Sequence, residues 1–193
     1  MPSTNNGTMK ELSLNILDVA KNSVRAGASL IEIALTLDEE AILTFAITDN
    51  GCGMEEDFLQ HVTDPFYTTR TTRKVGLGLP LLKLAAEQTG GSLHIQSCTK
   101  PPHNGTRLEA RFDTKSVDCM PLGDIVSTVC ILIAGSPDID FLFTHTSADF
   151  HVSLDTRELR AILGKEISLA EPEIQQWIGE YLKEQYTSKP QNS

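Results

Sequence analysis

Apolar positions follow two different periods along this chain. From Lys10 they recur at helical spacing, with Leu12, Ile16, Val19 and Ser23 on one face and Leu14 and Leu17 beside it. This predicts a helix that ends near Ala26-Gly27-Ala28, with Gly27 as a left-handed stop. Ser29 to Thr36 (SLIEIALT) and Ala41 to Thr48 (AILTFAIT) alternate with period two and predict strands. The short charged link Leu37-Asp38-Glu39-Glu40 joins them as an antiparallel hairpin. Helical patterns follow at Met54 to His61 and at Pro80 to Thr89, the second stopped by Gly90-Gly91. Ser92 to Ser97 (SLHIQS) and Thr106 to Phe112 (TRLEARF) read as two more strands around the turn KPPHNG.

The order helix, two strands, short helix, loop, helix, two strands predicts an α+β fold. It is expected to be a two-layer sandwich, with a mostly antiparallel sheet and helices on one face. This domain is placed at residues 10–115, and residues 116–186 form a small C-terminal α/β extension. In the extension, Pro121 to Ala134 (PLGDIVSTVCILIA) fits a helix or a buried strand, and the helix is preferred, stopped at Gly135. Ile139 to His145 and Phe150 to Leu154 read as a hairpin, and Asp155 caps a helix (TRELRAIL) with Glu158 at the capping-box position. Glu173 to Tyr186 is a last amphipathic helix with Ile174, Trp177, Ile178, Tyr181 and Leu182 as its apolar stripe. Two roles stay open for the extension. It extends the sheet and covers an edge, or it docks a partner or forms a homodimer through Trp177 and Tyr181; packing is the preferred reading of the aromatic stripe. Residues 1–9 and 187–193 are polar and expected to be disordered.

Charge and cysteine usage narrow the function classes. The 193 residues carry a net charge of −10, with no basic block to offset it. General binding to nucleic acid or to an anionic membrane is therefore not expected. Cys52, Cys98, Cys119 and Cys130 contain no CxxC pair and read as free thiols in a reducing compartment. The N-terminus lacks the apolar core of a signal peptide, and the longest apolar run, Val129 to Ala134, is far too short to span a bilayer. The expectation is a soluble, cytoplasmic protein.

The candidate chemistry lies between Asp49 and Leu79. Asp49 closes the alternating run Leu43, Phe45, Ile47 and falls at a strand end, followed at once by Gly51 and Gly53. These glycines allow positive φ and close approach of a ligand to the backbone. Gly76-Leu77-Gly78-Leu79 directly precedes a helix, where unpaired N–H groups and the positive end of the helix dipole suit phosphate. The sequence is not a P-loop, because no Gly-Lys-Ser/Thr follows, nor a dinucleotide fingerprint, because the third glycine is missing. One carboxylate and two glycine turns suggest a nucleotide, with its base at one end and its phosphates at the other. Arg70, Arg73 and Lys74 supply local positive charge between the turns. Asp18, Asn22 and Arg25 share one helical stripe, which either holds a metal–phosphate group or is a solvated polar face.

Four segments, LDVAKNSVRAGAS, DNGCGM, DPFYTTR and GLGLPLLK, occur in this order over about residues 10–113. Together they resemble the N box, the first glycine box, the F box and the second glycine box of the GHKL (Bergerat-fold) ATPases. That family includes sensor histidine kinases, gyrase B, the ninety-kilodalton heat-shock chaperones and MutL-type mismatch-repair ATPases. The resemblance implies that ATP and Mg²⁺ are bound, with Asn22 holding the metal. Asp49 would accept the adenine amino group, and Gly51 and Gly53 would let the loop pass close to the base. Phe66 would anchor the lid, and Thr69 and Arg70 would lie near the phosphates. Gly76 and Gly78 would present N–H groups to those phosphates, and Leu79, next in the same box, would belong to the ATP site. The branch is mixed. NSVRAGAS resembles MutL, whereas Arg25 stands where MutL-type sequences carry an acid and is similar to histidine kinases, as are DPFYTTR and the short lid. Asp18 falls where the ATPases carry a glutamate base, so it either orients water from one methylene further back or only orders Asn22 and the water around the metal.

None of His61, His94, His103, His145 or His151 lies in a helix like that of a sensor kinase's phosphoacceptor hairpin, and only about ten residues precede the first helix. A self-contained histidine kinase of the usual design is therefore not expected. Two functions follow from the resemblance. One is transfer of the γ-phosphoryl group to an unidentified phosphoacceptor protein, or slowly to water. The other is a non-catalytic ATP-sensing switch that controls a protein partner through the lid at Thr71 to Val75 and the C-terminal extension.

Overall fold

The computed structural model describes residues 11–65, 78–164 and 166–187. The elements in chain order are α1 (Leu12–Arg25), β1 (Leu30–Leu37), β2 (Ile42–Asp49), α2 (Glu56–Leu59), α3 (Gly78–Gln88), β3 (Ser92–Cys98) and β4 (Gly105–Asp113). They continue with α4 (Ile125–Gly135), β5 (Asp140–Thr146), β6 (His151–Asp155), α5 (Thr156–Leu163) and α6 (Pro172–Thr187). The strands form one six-stranded sheet in the order β3-β4-β2-β1-β5-β6. Every neighbouring pair is antiparallel except β1 and β5, which run parallel from Leu30↔Asp140 to Thr36↔Thr146. The fold is therefore the expected α+β sandwich, and the C-terminal extension continues its sheet.

Alternation along the strands selects the buried face. Ile31, Ile33 and Leu35 of β1, Phe45 and Ile47 of β2, and Phe141 and Phe143 of β5 are all fully buried. They pack against Leu12 and Ile16 of α1, Leu82 and Ala86 of α3, Ile133 of α4, and Ile178 and Leu182 of α6 in one contiguous core. The ambiguous apolar run is the helix α4. Asp124 explains its start: its side chain accepts from the Ser127 N–H at 2.9 Å, a cap that a strand has no use for. Helix α1 stops where expected, with Gly27 at φ +73.

Three expectations need correction. The helix expected over Met54 to His61 is the single turn of α2, followed by turns. No side chain of α2 is buried, so there is no packing face to extend it. The stripe on α6 is split: Ile178 and Leu182 enter the core, while Trp177 and Tyr181 stack on each other outside it, ring centroids 5.0 Å apart. Thr187, expected to be disordered, is the last residue of α6. Residues 1–9 and 188–193 lie outside the described residues.

The end of α6 closes the β6 edge. The Gln185 side-chain amide accepts from Ser153 N–H at 2.9 Å and donates to Ser153 C=O at 3.0 Å, as a neighbouring strand would. Next to it, Tyr186 Oη and the buried His145 Nδ1 share a hydrogen bond of 2.8 Å. No helix among the described residues is long and apolar enough to cross a membrane.

Candidate functional site

Asp49 ends β2 in register with Ile31 on one side and Thr106 on the other. It continues the inward set Leu43, Phe45, Ile47, so its side chain turns toward the helix layer rather than the open face of the sheet. Its carboxylate is held by three donors. The Ser23 hydroxyl donates to Oδ2 at 2.6 Å. The Gly51 and Thr106 N–H groups donate to Oδ1 at 2.9 Å and 3.3 Å. One donor comes from α1, one from the glycine turn and one from β4, so three segments far apart in sequence fix one side chain.

The glycine turn is tight on both sides. A side chain at Gly51 would meet the Ala26 carbonyl and Cβ at 2.9 Å, and the next N–H, from Cys52, donates to that carbonyl at 2.9 Å. Gly53 has φ +71, and a Cβ there would lie 2.0 Å from the Cys98 carbonyl oxygen. The Met54 N–H then donates to Ser97 Oγ at 2.8 Å, and Ser97 Oγ shares a 2.8 Å hydrogen bond with Thr106 Oγ1. Asn104 Nδ2 donates to the Gly51 carbonyl at 2.8 Å. The loop after β2 is thus pinned to the β3–β4 turn.

These elements enclose a cavity of about 260 Å³. Val19, Asn22, Ser23 and Ala26 of α1 and the following turn form one wall, and Ile47, Asp49, Ile95, Thr106 and Leu108 of the sheet form the floor. Gly53, Met54, Phe58, Val62 and Leu79 complete it. Apolar walls with a few converging polar groups are the usual form of a small-molecule site, and the volume falls just below the roughly 300–1,000 Å³ common for such sites.

Asn22 of α1 and Leu79 in the first turn of α3 also line this cavity. Gly78 lies directly against Asp18: a Cβ there would be 2.0 Å from Asp18 Oδ2. Asn22, one turn beyond Asp18, lines the cavity and accepts through Oδ1 from the Arg25 guanidinium. The amide and carboxylate oxygens of Asn22 and Asp18 are the hard donors that Mg²⁺ takes, and Mg²⁺ needs few of them because it keeps its waters. Among the described residues no group of three or more His, Cys, Asp or Glu side chains is placed to hold a metal ion.

Of the residues singled out in the sequence, Asn22, Asp49, Gly53 and Leu79 line the cavity. Gly51 holds Asp49, Asp18 abuts Gly78, and Arg25 bonds Asn22 at the solvent-exposed end of α1. Phe66, Thr69, Arg70 and Gly76, with the expected lid, lie outside the described residues. Ser23 and Thr106 were missed as site residues. The helical period alone puts Ser23 on the core face of α1, and only the β2–β4 register reveals Thr106 beside Asp49.

Residues 8–116, more than half of the chain, match the family of histidine kinase-, DNA gyrase B- and HSP90-like ATPases. The chain belongs to this family. Sporulation kinase D of Bacillus subtilis (strain 168) is 38% identical over 85 residues, which are 42% of this chain and 16% of that protein. Sensor protein SrrB of Staphylococcus aureus (strain NCTC 8325 / PS 47) is 36% identical over 95 residues, 46% of this chain and again 16% of that protein. The chain thus spans a small part of these curated relatives. It carries an ATP-binding domain homologous to the corresponding segments of these two proteins. The crystal structure of the N-terminal domain of a DNA repair protein superposes with a TM-score of 0.53 at 16% identity, over 73% of this chain and 50% of that one. That likeness concerns the fold alone.

Proposed function

We propose that this protein is a regulatory ATP/Mg²⁺-binding protein that transfers the γ-phosphoryl group of ATP to a residue on a separate protein, or slowly to water. The observation that carries the nucleotide part is the Asp49 carboxylate, fixed at the floor of an apolar cavity that Asn22 and Leu79 also line, with Asp18 against the neighbouring Gly78. A flat base fits between the apolar walls with its amino group toward Asp49, and the triphosphate points to the N-terminus of α3, where anions are favoured. Mg²⁺ in such a site supplies charge neutralisation of the phosphates. Asn22 would hold the metal through an Oδ1 released from the Arg25 guanidinium, Arg25 would then add positive charge toward the phosphates, and an Asp18 carboxylate oxygen would orient an incoming hydroxyl or water. Aspartate reaches less far than glutamate, and a misplacement of about 1 Å costs on the order of a hundredfold in rate, so hydrolysis is slow. The test is phosphate release and phosphoryl transfer with Asp18 and Asn22 both replaced by Ala. Loss of turnover supports the reading, and unchanged turnover contradicts it.

A second reading is a switch without obligatory chemistry, in which ATP changes a surface seen by a protein partner. It is favoured by the exposed Trp177–Tyr181 stack, which sits in an extension joined to the sheet of the ATP-binding domain through β1 and β5. Limited proteolysis with and without Mg-ATP tests it, since identical cleavage patterns leave no nucleotide-dependent surface for a partner to read.

A further inference from the structure

We infer that Ser23 is a positioning residue that makes Asp49 selective for a base with an exocyclic amino group. The inference rests on the nucleotide reading of the cavity and deepens it. The Asp49 carboxylate offers about four lone-pair positions. Two, on Oδ1, are taken by the N–H groups of Gly51 and Thr106 at 2.9 Å and 3.3 Å. A third, on Oδ2, is taken by the Ser23 hydroxyl at 2.6 Å. One acceptor position is left, on the oxygen that Ser23 holds.

The Ser23 hydroxyl has a single proton, and that proton is committed to Asp49. Toward the cavity, Ser23 Oγ is therefore an acceptor too. The pair presents acceptors and no donor, so a ligand edge must bring N–H groups to it. A 6-amino purine does so through its amino group, whereas a purine with only hydrogen at C6 leaves the position unpaired. A desolvated acceptor with no partner is costly, which gives a polar site its discrimination. Without Ser23, the oxygen facing the cavity loses its one donor among the described residues. The carboxylate is then held on one oxygen alone and is free to turn about that side.

Ser23 is buried and lines the cavity, so it acts from within the wall. It also follows Asn22 directly, so one step along α1 passes from the residue assigned to the metal to the residue that sets the base reader.

The experiment measures dissociation constants for Mg-ATP and for Mg-purine riboside triphosphate, which lacks the 6-amino group, on wild type, Ser23→Ala and Ser23→Thr. Wild type is expected to prefer ATP. In Ser23→Ala, ATP should weaken about tenfold, the loss expected for one hydrogen bond to a charged group, while the analogue changes less than about twofold. Ser23→Thr retains a hydroxyl and should restore most of the preference. Equal weakening of both nucleotides in Ser23→Ala would make Ser23 a structural residue and overturn the inference. So would an unchanged ratio, or a wild type without preference. A wild type that binds neither nucleotide overturns the nucleotide reading itself, and the inference with it. A retained ratio in Ser23→Ala overturns the inference alone.

Discussion

The two ends of the six-stranded sheet are finished in opposite ways. Beyond β2 and β4, the chain leaves a cavity and arranges polar groups around it. Ser23, Gly51 and Thr106 converge on Asp49, and glycines at positions 51 and 53 bring backbone so close that no side chain fits. Beyond β1, the chain fills the space with itself. Phe141 and Phe143 are covered by helices, Gln185 closes the β6 edge, and Tyr186 with Phe150 packs edge-on around His145. The cavity and the tight glycine turn favour a ligand over stability, whereas the filled end favours stability. Mutations at the two ends should therefore separate cleanly in what they damage.

The largest effect is expected in the filled end. Phe143→Ala removes a fully buried ring between β1 and β6 and should cost about 3–5 kcal/mol in denaturant unfolding. Nucleotide affinity of the remaining folded protein should change less than about twofold. A large affinity loss would mean that the two ends are coupled. Gly53→Ala is the counterpart in the open end. Its Cβ would meet the Cys98 carbonyl at 2.0 Å in a φ +71 conformation. The stability cost should be about 2–4 kcal/mol. Calorimetry should show ATP affinity down at least about tenfold, because the loop beside Asp49 must move.

A smaller effect separates the ends by pH. Burial lowers the His145 pKa from 6.5 to about 4. The folded state keeps His145 neutral where the unfolded chain would protonate it. Its contribution is fully present above about pH 6.5, declines as pH falls and is exhausted near pH 4. After allowance for partial solvent screening this is on the order of 2 kcal/mol. Unfolding of His145→Gln, followed from pH 7 to pH 4, should show a shallower decline than wild type. The smallest effect is expected at the α6 surface. Trp177→Ala removes a half-exposed stacked ring and should cost about 1 kcal/mol or less.

Much of the open end was legible in the sequence because its signals are local. Asp49, Gly51 and Gly53 lie within five residues, Gly78 and Leu79 open a helix, and the stripe of α1 repeats at helical spacing. What escaped depends on contacts across the fold. Thr106 reaches Asp49 only through a strand register 57 residues away, and nothing beside Ser23 announces that its hydroxyl turns to a carboxylate 26 residues on. In the filled end, alternation revealed β5 and β6. Their place next to β1 depends on a parallel pairing more than a hundred residues apart, which no local pattern encodes. The amphipathic period of α6 marks a helix but is too broad to tell that Ile178 and Leu182 face the core while Trp177 and Tyr181 do not.

Whether Asp49 reads the base of a bound nucleotide is decided by calorimetric titration of Mg-ATP into wild type and Asp49→Ala, with folding of the variant checked by circular dichroism. Saturable binding to wild type that falls at least about a hundredfold in a folded Asp49→Ala protein is the expected result. Equal affinity in the two proteins, or no binding to wild type, would contradict it.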